Sequence, residues 1–234
     1  MKYCTAYIWE QGKRTENEDS LALLSVNIGK TPLIMAVVAD GIGSLYKSEN
    51  ASSYVTYSLK KAFEEATHTN KCFNLRYIKR LLCRTISRCH IDIKNMASNG
   101  SSRTGTTCSL VVLVGRKGFL INIGDSRIYK VGKKLLTRDD THNRMLMRCI
   151  GTGSYHRPHT KKFRLKNNEM LLLATDGFYK RLHKTILTTP LPVVSEECMQ
   201  AWLSDRYNTA VVNGETDNSS AILIAKKDED KKYE

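Results

Sequence analysis

Apolar and polar positions follow two rhythms along this chain, and the changes between them divide it into elements. Strand-like patterning, alternating or continuously apolar, covers 2–9 (KYCTAYIW), 20–26 (SLALLSV) and 33–39 (LIMAVVA). The polar stretch QGKRTENED separates the first two, which are expected to pair as a hairpin, and Gly29-Lys30-Thr31-Pro32 is a turn signal ahead of the third. Helical spacing then takes over. Ala51, Tyr54, Val55, Leu59 and Ala62 predict a helix over 48–66, opened by Ser48 and Glu49. Leu75, Ile78, Leu82, Ile86, Cys89 and Ile93 predict a second over 73–97, with a Lys/Arg-rich opposite face that reads as solvated. From 106 the strand rhythm returns. TTCSLVVLVG, GFLINIGDS and RIYKVG read as three successive antiparallel strands, and HTKKFRL with EMLLLATDG as a further pair turned by Lys166-Asn167-Asn168. A helix over 195–212 and a closing strand, SSAILIAK, complete the series. No repeat or linker interrupts it, so one domain of two stacked sheets flanked by helices is expected, an α+β fold.

Composition narrows the class. The 234 residues, 41% hydrophobic and 26% charged, suit one globular core. No apolar run reaches the ~18–20 residues of a membrane span, and MKYCTAYIWEQGKR lacks the apolar core of a signal peptide. Seven cysteines without a C-x-x-C pair point to reduced thiols, hence to a cytoplasmic location. The formal net charge of +14 suggests a nucleic-acid binder, yet the basic residues are dispersed and no recognition motif accompanies them. They are expected to give solubility and to steer acidic or phosphorylated partners. The segment 228–234 reads as a charged, frayed tail.

Candidate chemistry gathers at strand ends. Asp40 follows AVVA and precedes Gly41; Asp125 follows FLINIG; Asp176 follows MLLLAT and precedes Gly177; Asp217 stands just before the last strand. Glu18 and Asp19 lie directly ahead of the strand at 20–26. Singly, each reads as a turn or cap residue. Carboxylates gathered on one sheet rim repel each other unless a cation joins them, and an all-oxygen donor set favours Mg²⁺ or Mn²⁺ over zinc. His156 and His159 form H-x-x-H in a polar loop and read as surface residues, while His142 is a neighbour that could reach the site. No cysteine stands in a C-x₅-R arrangement, which disfavours a cysteine phosphatase.

The ordered series R-T-E-N-E-D-S (14–20), V-A-D-G-I-G-S (38–44), S-E-N-A-S (48–52), G-T-T (105–107), I-G-D-S-R-I-Y (123–129), T-R-D-D-T (137–141), L-L-L-A-T-D-G (171–177) and D-N-S-S (217–220) closely resembles the metal-dependent protein serine/threonine phosphatases of the PPM, or type 2C, family, bacterial type. The resemblance implies a four-layer α-β-β-α sandwich of two antiparallel sheets flanked by helices, with one phosphatase domain over 1–227. It implies two Mn²⁺ or Mg²⁺ ions and a third, weaker site. Asp40 would bridge two ions and the Gly41 carbonyl would bind one. Asp176 and Asp217 would complete the other ion's shell, Glu18 and Asp19 would act through water, and Asp125 with Asp176 would hold the third. Arg14 would grip the substrate phosphate. The implied reaction is hydrolysis of phosphoserine and phosphothreonine by direct in-line attack of a metal-bridging hydroxide. Asp40, Asp176 and Arg14 are its catalytic residues, and its partners are phosphorylated proteins made by a serine/threonine kinase. A monomer is expected, with neither membrane nor specific nucleic-acid binding. A non-catalytic relative that binds a phosphoprotein or kinase is the alternative.

Three departures from the family pattern stand out. Almost nothing separates Thr137-Arg138-Asp139-Asp140 from Met145–Gly151, where the family inserts a longer flap. Ile42 stands where some eukaryotic relatives have a histidine, and Ser44 replaces a glycine.

Overall fold

In the computed structural model, residues 2–42, 48–98, 104–143, 145–182, 191 and 194–227 are described. The expected 228–234 tail and Ser44 lie outside them.

The strand β3 (Thr31–Asp40) shows why the fold is layered. Its side chains alternate between two apolar environments, which explains a run apolar at every position rather than at every second one. Leu33, Met35 and Val37 enter a core shared with the helices α1 (Ser48–Thr67) and α2 (Leu75–Ser98). Ile34, Ala36 and Val38 enter a second core between the two sheets. The strand β12 (Ser219–Lys227) divides its residues likewise: Ile222 and Ile224 face the inter-sheet core, while Ala221, Leu223 and Ala225 face the helix α4 (Glu196–Val212). Ser195 caps α4, its side chain accepting the Cys198 backbone N–H at 3.1 Å.

Layers therefore run helix, sheet, sheet, helix. The first sheet has the order β10 (His159–Arg164), β5 (Lys117–Ile123), β4 (Cys108–Val114), β3, β2 (Asp19–Ile28). The second has the order β1 (Lys2–Glu10), β12, β11 (Met170–Ala174), β6 (Arg127–Lys130), β7 (Lys134–Leu135). All named pairings are antiparallel. A small hairpin, β8 (Thr141–His142) with β9 (Met145–Leu146), stands apart. Among the described residues, no helix is long and apolar enough to cross a membrane.

Three expected pairings are corrected. The first two strands do not form a hairpin: β1 pairs with β12 over its full length, Lys2 opposite Lys227, and the polar 11–18 stretch carries the chain across to the other sheet. Cys4, Ala6 and Ile8 of β1 need the cover that α4 gives, which places the strand at that sheet's edge. The third of the three successive strands also changes sheet, because Gly124 (φ +103°) bends the chain after β5 so that β6 meets β11. Finally, β10 and β11 lie in opposite sheets. Lys166–Asn168 is a crossover, with Asn168 at φ +57°.

Candidate metal centre

The ends of five strands meet at one rim. The Asp19 and Asp40 positions are opposed in the β2–β3 register, so two acidic residues face one another where the first sheet ends. Backbone bonds fix Asp40 from the neighbouring strand: its N–H donates to Thr107 Oγ1 at 3.0 Å, and its carbonyl accepts from the Thr107 N–H and Thr106 Oγ1, each at 2.9 Å. Gly41 follows because nothing larger fits. A Cβ there would lie 2.6 Å from the Glu18 carbonyl and 2.9 Å from that of Ser48. Among the described residues nothing donates to the Gly41 carbonyl, which leaves that oxygen available to a cation.

The second sheet brings Asp176 from the start of the short helix α3 (Asp176–Tyr179) and Asp217 from just before β12. Gly177 permits their closeness, since a Cβ at that position would stand 2.1 Å from the Asn218 carbonyl. Asn218 pins the polar loop that carries Arg14 and Glu18. Its side chain accepts the Glu18 N–H at 2.9 Å and donates to the Gln11 and Glu16 carbonyls at 2.8 and 3.0 Å. Arg14 in turn donates to Asp217 Oδ2 at 2.9 Å.

These residues line one cavity of about 170 Å³: Arg14, Glu18, Asp40, Gly41, Asp125, Asp176 and Asp217, with Thr107 and Asn218 behind and the apolar Ile42 and Leu146 at its edge. Seven of the eight sequence-predicted site residues thus converge. Asp19 stands one layer back, 3% exposed, accepting a bond from Thr175 Oγ1 at 2.8 Å. The reach suggested for His142 is not observed: it is exposed on β8, and Leu146 of β9 borders the cavity instead. The polar-loop reading of the H-x-x-H pair is corrected for His159, which opens β10 and meets Asp140 at 3.1 Å while its side chain stays partly exposed.

Electrostatics agrees with crowded like charge. Withdrawal from water, then the charges of Asp19, Asp176, Asp125 and Asp217, push the Asp40 carboxyl well above the usual carboxylate range. Burial lifts Asp19 to about 7, against the bond from Thr175 and with repulsion from Asp176 and Asp217. Burial, then Asp176, raises Asp125 to about 6. Asp176 is raised by burial while Lys180, at 3.4 Å, opposes the rise. Carboxylates that resist ionising together are stabilised by a cation placed among them.

The donors suit a hard, hydrated ion. Among the described residues, no three His, Cys, Asp or Glu side chains converge closely enough to enclose one ion on their own. Mg²⁺ and Mn²⁺ sites do not require that, because such ions bind through one or two carboxylates and a carbonyl while keeping several waters. A cavity of about 170 Å³ has room for that water, at roughly 30 Å³ per molecule.

Several supporting residues escaped the sequence reading. Asn218 was legible only as part of D-N-S-S. Arg127 and Asp139 form a close ion pair, 2.7 Å at its shortest, and Asp140 accepts the Gly124 N–H at 3.1 Å. Together they brace the loop bearing Asp125, and their signal was the joint presence of G-D-S-R and R-D-D-T.

The architecture is an α-β-β-α sandwich with an all-oxygen acidic cluster at one end of its sheets. The family described as Protein phosphatase 2C matches residues 11–208, and the chain belongs to that family. The fold is shared with PppA, a regulatory component of the type VI secretion system in Pseudomonas aeruginosa, at 20% identity and TM-score 0.79 over 96% of this chain and 98% of that one. The serine/threonine phosphatase Stp1 of Staphylococcus aureus superposes with TM-score 0.80 at 21% identity, over 97% and 96% of the two chains. The catalytic domain of the phosphatase PstP, in complex with two manganese ions, gives TM-score 0.74 at 20% identity, over 97% and 99%. In sequence, the probable protein phosphatase 2C 52 of Oryza sativa subsp. japonica is 28% identical over 132 residues, which is 56% of this chain but only 25% of the rice protein.

Proposed function

We propose that residues 1–227 form a single Mg²⁺- or Mn²⁺-dependent protein phosphatase domain that hydrolyses phosphoserine and phosphothreonine in proteins. The observation that carries this reading is the convergence of Asp40, Asp125, Asp176 and Asp217 with the Gly41 carbonyl and Arg14 around one cavity. Family membership, and the two manganese ions reported for PstP, support it.

Two divalent cations held there would lower the pKa of water, supplying hydroxide near neutral pH for in-line attack on phosphorus. In this reading Asp40 would contact both ions and the Gly41 carbonyl one of them, while Asp176 and Asp217 would complete the other's shell together with water; their shared lining of the cavity supports it. Glu18 and Asp19 would act through water in this reading, and Asp125 with Asp176 would serve a third, weaker site. Arg14 needs no new position to serve as a phosphate clamp. Its guanidinium stands at the cavity mouth, 46% exposed, and among the described residues only one of its amino groups is engaged, by Asp217. The free donors present a fork to phosphoryl oxygens, a contact worth about 1.5–3 kcal/mol. Ile42 and Leu146 give the mouth an apolar edge suited to the carbon atoms of a phosphorylated side chain.

The test is release of phosphate from a phosphothreonine peptide with and without Mn²⁺, by the natural chain and by Asp40→Ala. Turnover that needs Mn²⁺ and falls at least a hundredfold in the variant is expected. Metal-independent turnover, or full activity in Asp40→Ala, would overturn the mechanism. Metal binding with no turnover would point to a non-catalytic phosphoprotein binder.

A further inference from the structure

A second recess lies far from the acidic rim. Helix α2 covers the first sheet only in part, and between its N-terminal end and the strand β10 a trough of about 630 Å³ remains. Arg76, Lys79, Lys117, Lys162 and Arg164 line it, over a floor that includes Leu75 and the buried Phe119. The strand register explains the arrangement. Lys117 is opposite Arg164, and Phe119 is opposite Lys162, so cations and the apolar ring share the face that α2 approaches.

Lys79 also borders an adjoining recess of about 350 Å³, where Arg84 and Arg157 continue the same charge toward the start of β10. The two parts make one elongated basic trough. Among the described residues no Asp or Glu lines either part. Among the described residues none of the five cations of the larger recess has an ion-pair partner, whereas Lys130 and Lys133 close by both engage Glu169. Arg76 and Lys79 even stand near the positive end of the α2 dipole, where basic residues are unfavourable unless an anion offsets them.

We propose that this trough binds an extended acidic segment of a partner protein, its carboxylates on the basic walls and an apolar side chain against the partly exposed Leu75. The continuity of the two recesses suits an extended strand better than a compact anion. A nucleic-acid duplex fits less well, because a convex phosphate backbone would touch the walls and leave the apolar floor unused. The inference concerns binding and stands apart from the catalytic reading.

Fluorescence anisotropy with a labelled heptapeptide of glutamates around two leucines tests it directly. The full chain should bind the peptide with a Kd in the micromolar range at physiological salt, and Lys162→Glu with Arg164→Glu should weaken binding at least tenfold. Lys30→Glu with Lys61→Glu alters net charge equally at exposed positions that line neither recess and should change binding less than threefold. Replacing the leucines by serines should also weaken it. Equal loss in both double variants, no binding below millimolar, or tighter binding of a random DNA duplex would overturn the proposal. Binding seen only in a chain lacking 228–234 would assign the trough to the chain's own Asp228, Glu229 and Asp230, and overturn it too.

Discussion

At the scale of single residues, the site depends on side chains that touch nothing reactive as much as on those that would. Asn218 is the clearest. It makes three bonds to the loop carrying Arg14 and Glu18, each worth about 1 kcal/mol, so Asn218→Ala should lower unfolding free energy by about 2–3 kcal/mol in urea titrations. The same change should raise the Michaelis constant for a phosphopeptide, since Arg14 loses its support. Arg14→Lys probes the clamp itself. An ammonium keeps the charge but not the fork, so the Michaelis constant should rise about tenfold while Mn²⁺ affinity stays within twofold. An unchanged Michaelis constant would remove Arg14 from that role. Gly41→Ala is harsher, because its Cβ would meet two backbone carbonyls that cannot turn aside. A loss of activity of a hundredfold or more is expected, read alongside a lowered Tm.

At the scale of elements, β11 is tied to β6 by more than its ladder. Glu169, just ahead of β11, bonds Lys130 at 2.7 Å and Lys133 at 2.6 Å. Burial pushes its carboxyl up, yet the two ammonium groups and the Lys166 N–H outweigh that and hold the pKa down to about 2 from its ordinary 4.5. The folded form therefore releases the proton more readily than the unfolded chain. The stabilisation is complete above about pH 5 and disappears as pH falls from about 4.5 toward 2. Glu169→Gln should accordingly cost about 2 kcal/mol at pH 7, and the gap from the natural chain should close on acidification.

Such elements also show what the pattern along the chain could and could not convey. Element type and extent were legible because they depend on local period: α1, α2, α4 and β3 fall within a residue or two of expectation. Partners were less so. Short polar connections at 11–18 and 166–168 look like hairpin loops, and only the need of Cys4, Ala6 and Ile8 for the cover of α4 reveals that one of them crosses between sheets. The acidic rim was legible since its members share a strand-end context, whereas Asn218 and the Arg127–Asp139 brace act through distant partners that no local spacing announces.

At the scale of the whole molecule, the two sheets bring like charges together at the rim, so the rim is the place where a bound cation should matter for stability as well as chemistry. Mn²⁺ should raise Tm by several degrees by binding only the folded chain, EDTA should reverse the gain, and Asp40→Asn should abolish it. The trough along α2 and β10 lies on a different face, so its charge reversals should leave that metal response intact. The most direct measurement is anomalous scattering from a crystal of the chain soaked in Mn²⁺. Two strong peaks should appear in the cavity, one beside Asp40 and the Gly41 carbonyl and one toward Asp176 and Asp217. An empty cavity at saturating Mn²⁺, or ions bound only outside it, would contradict the assignment of this rim as a metal centre.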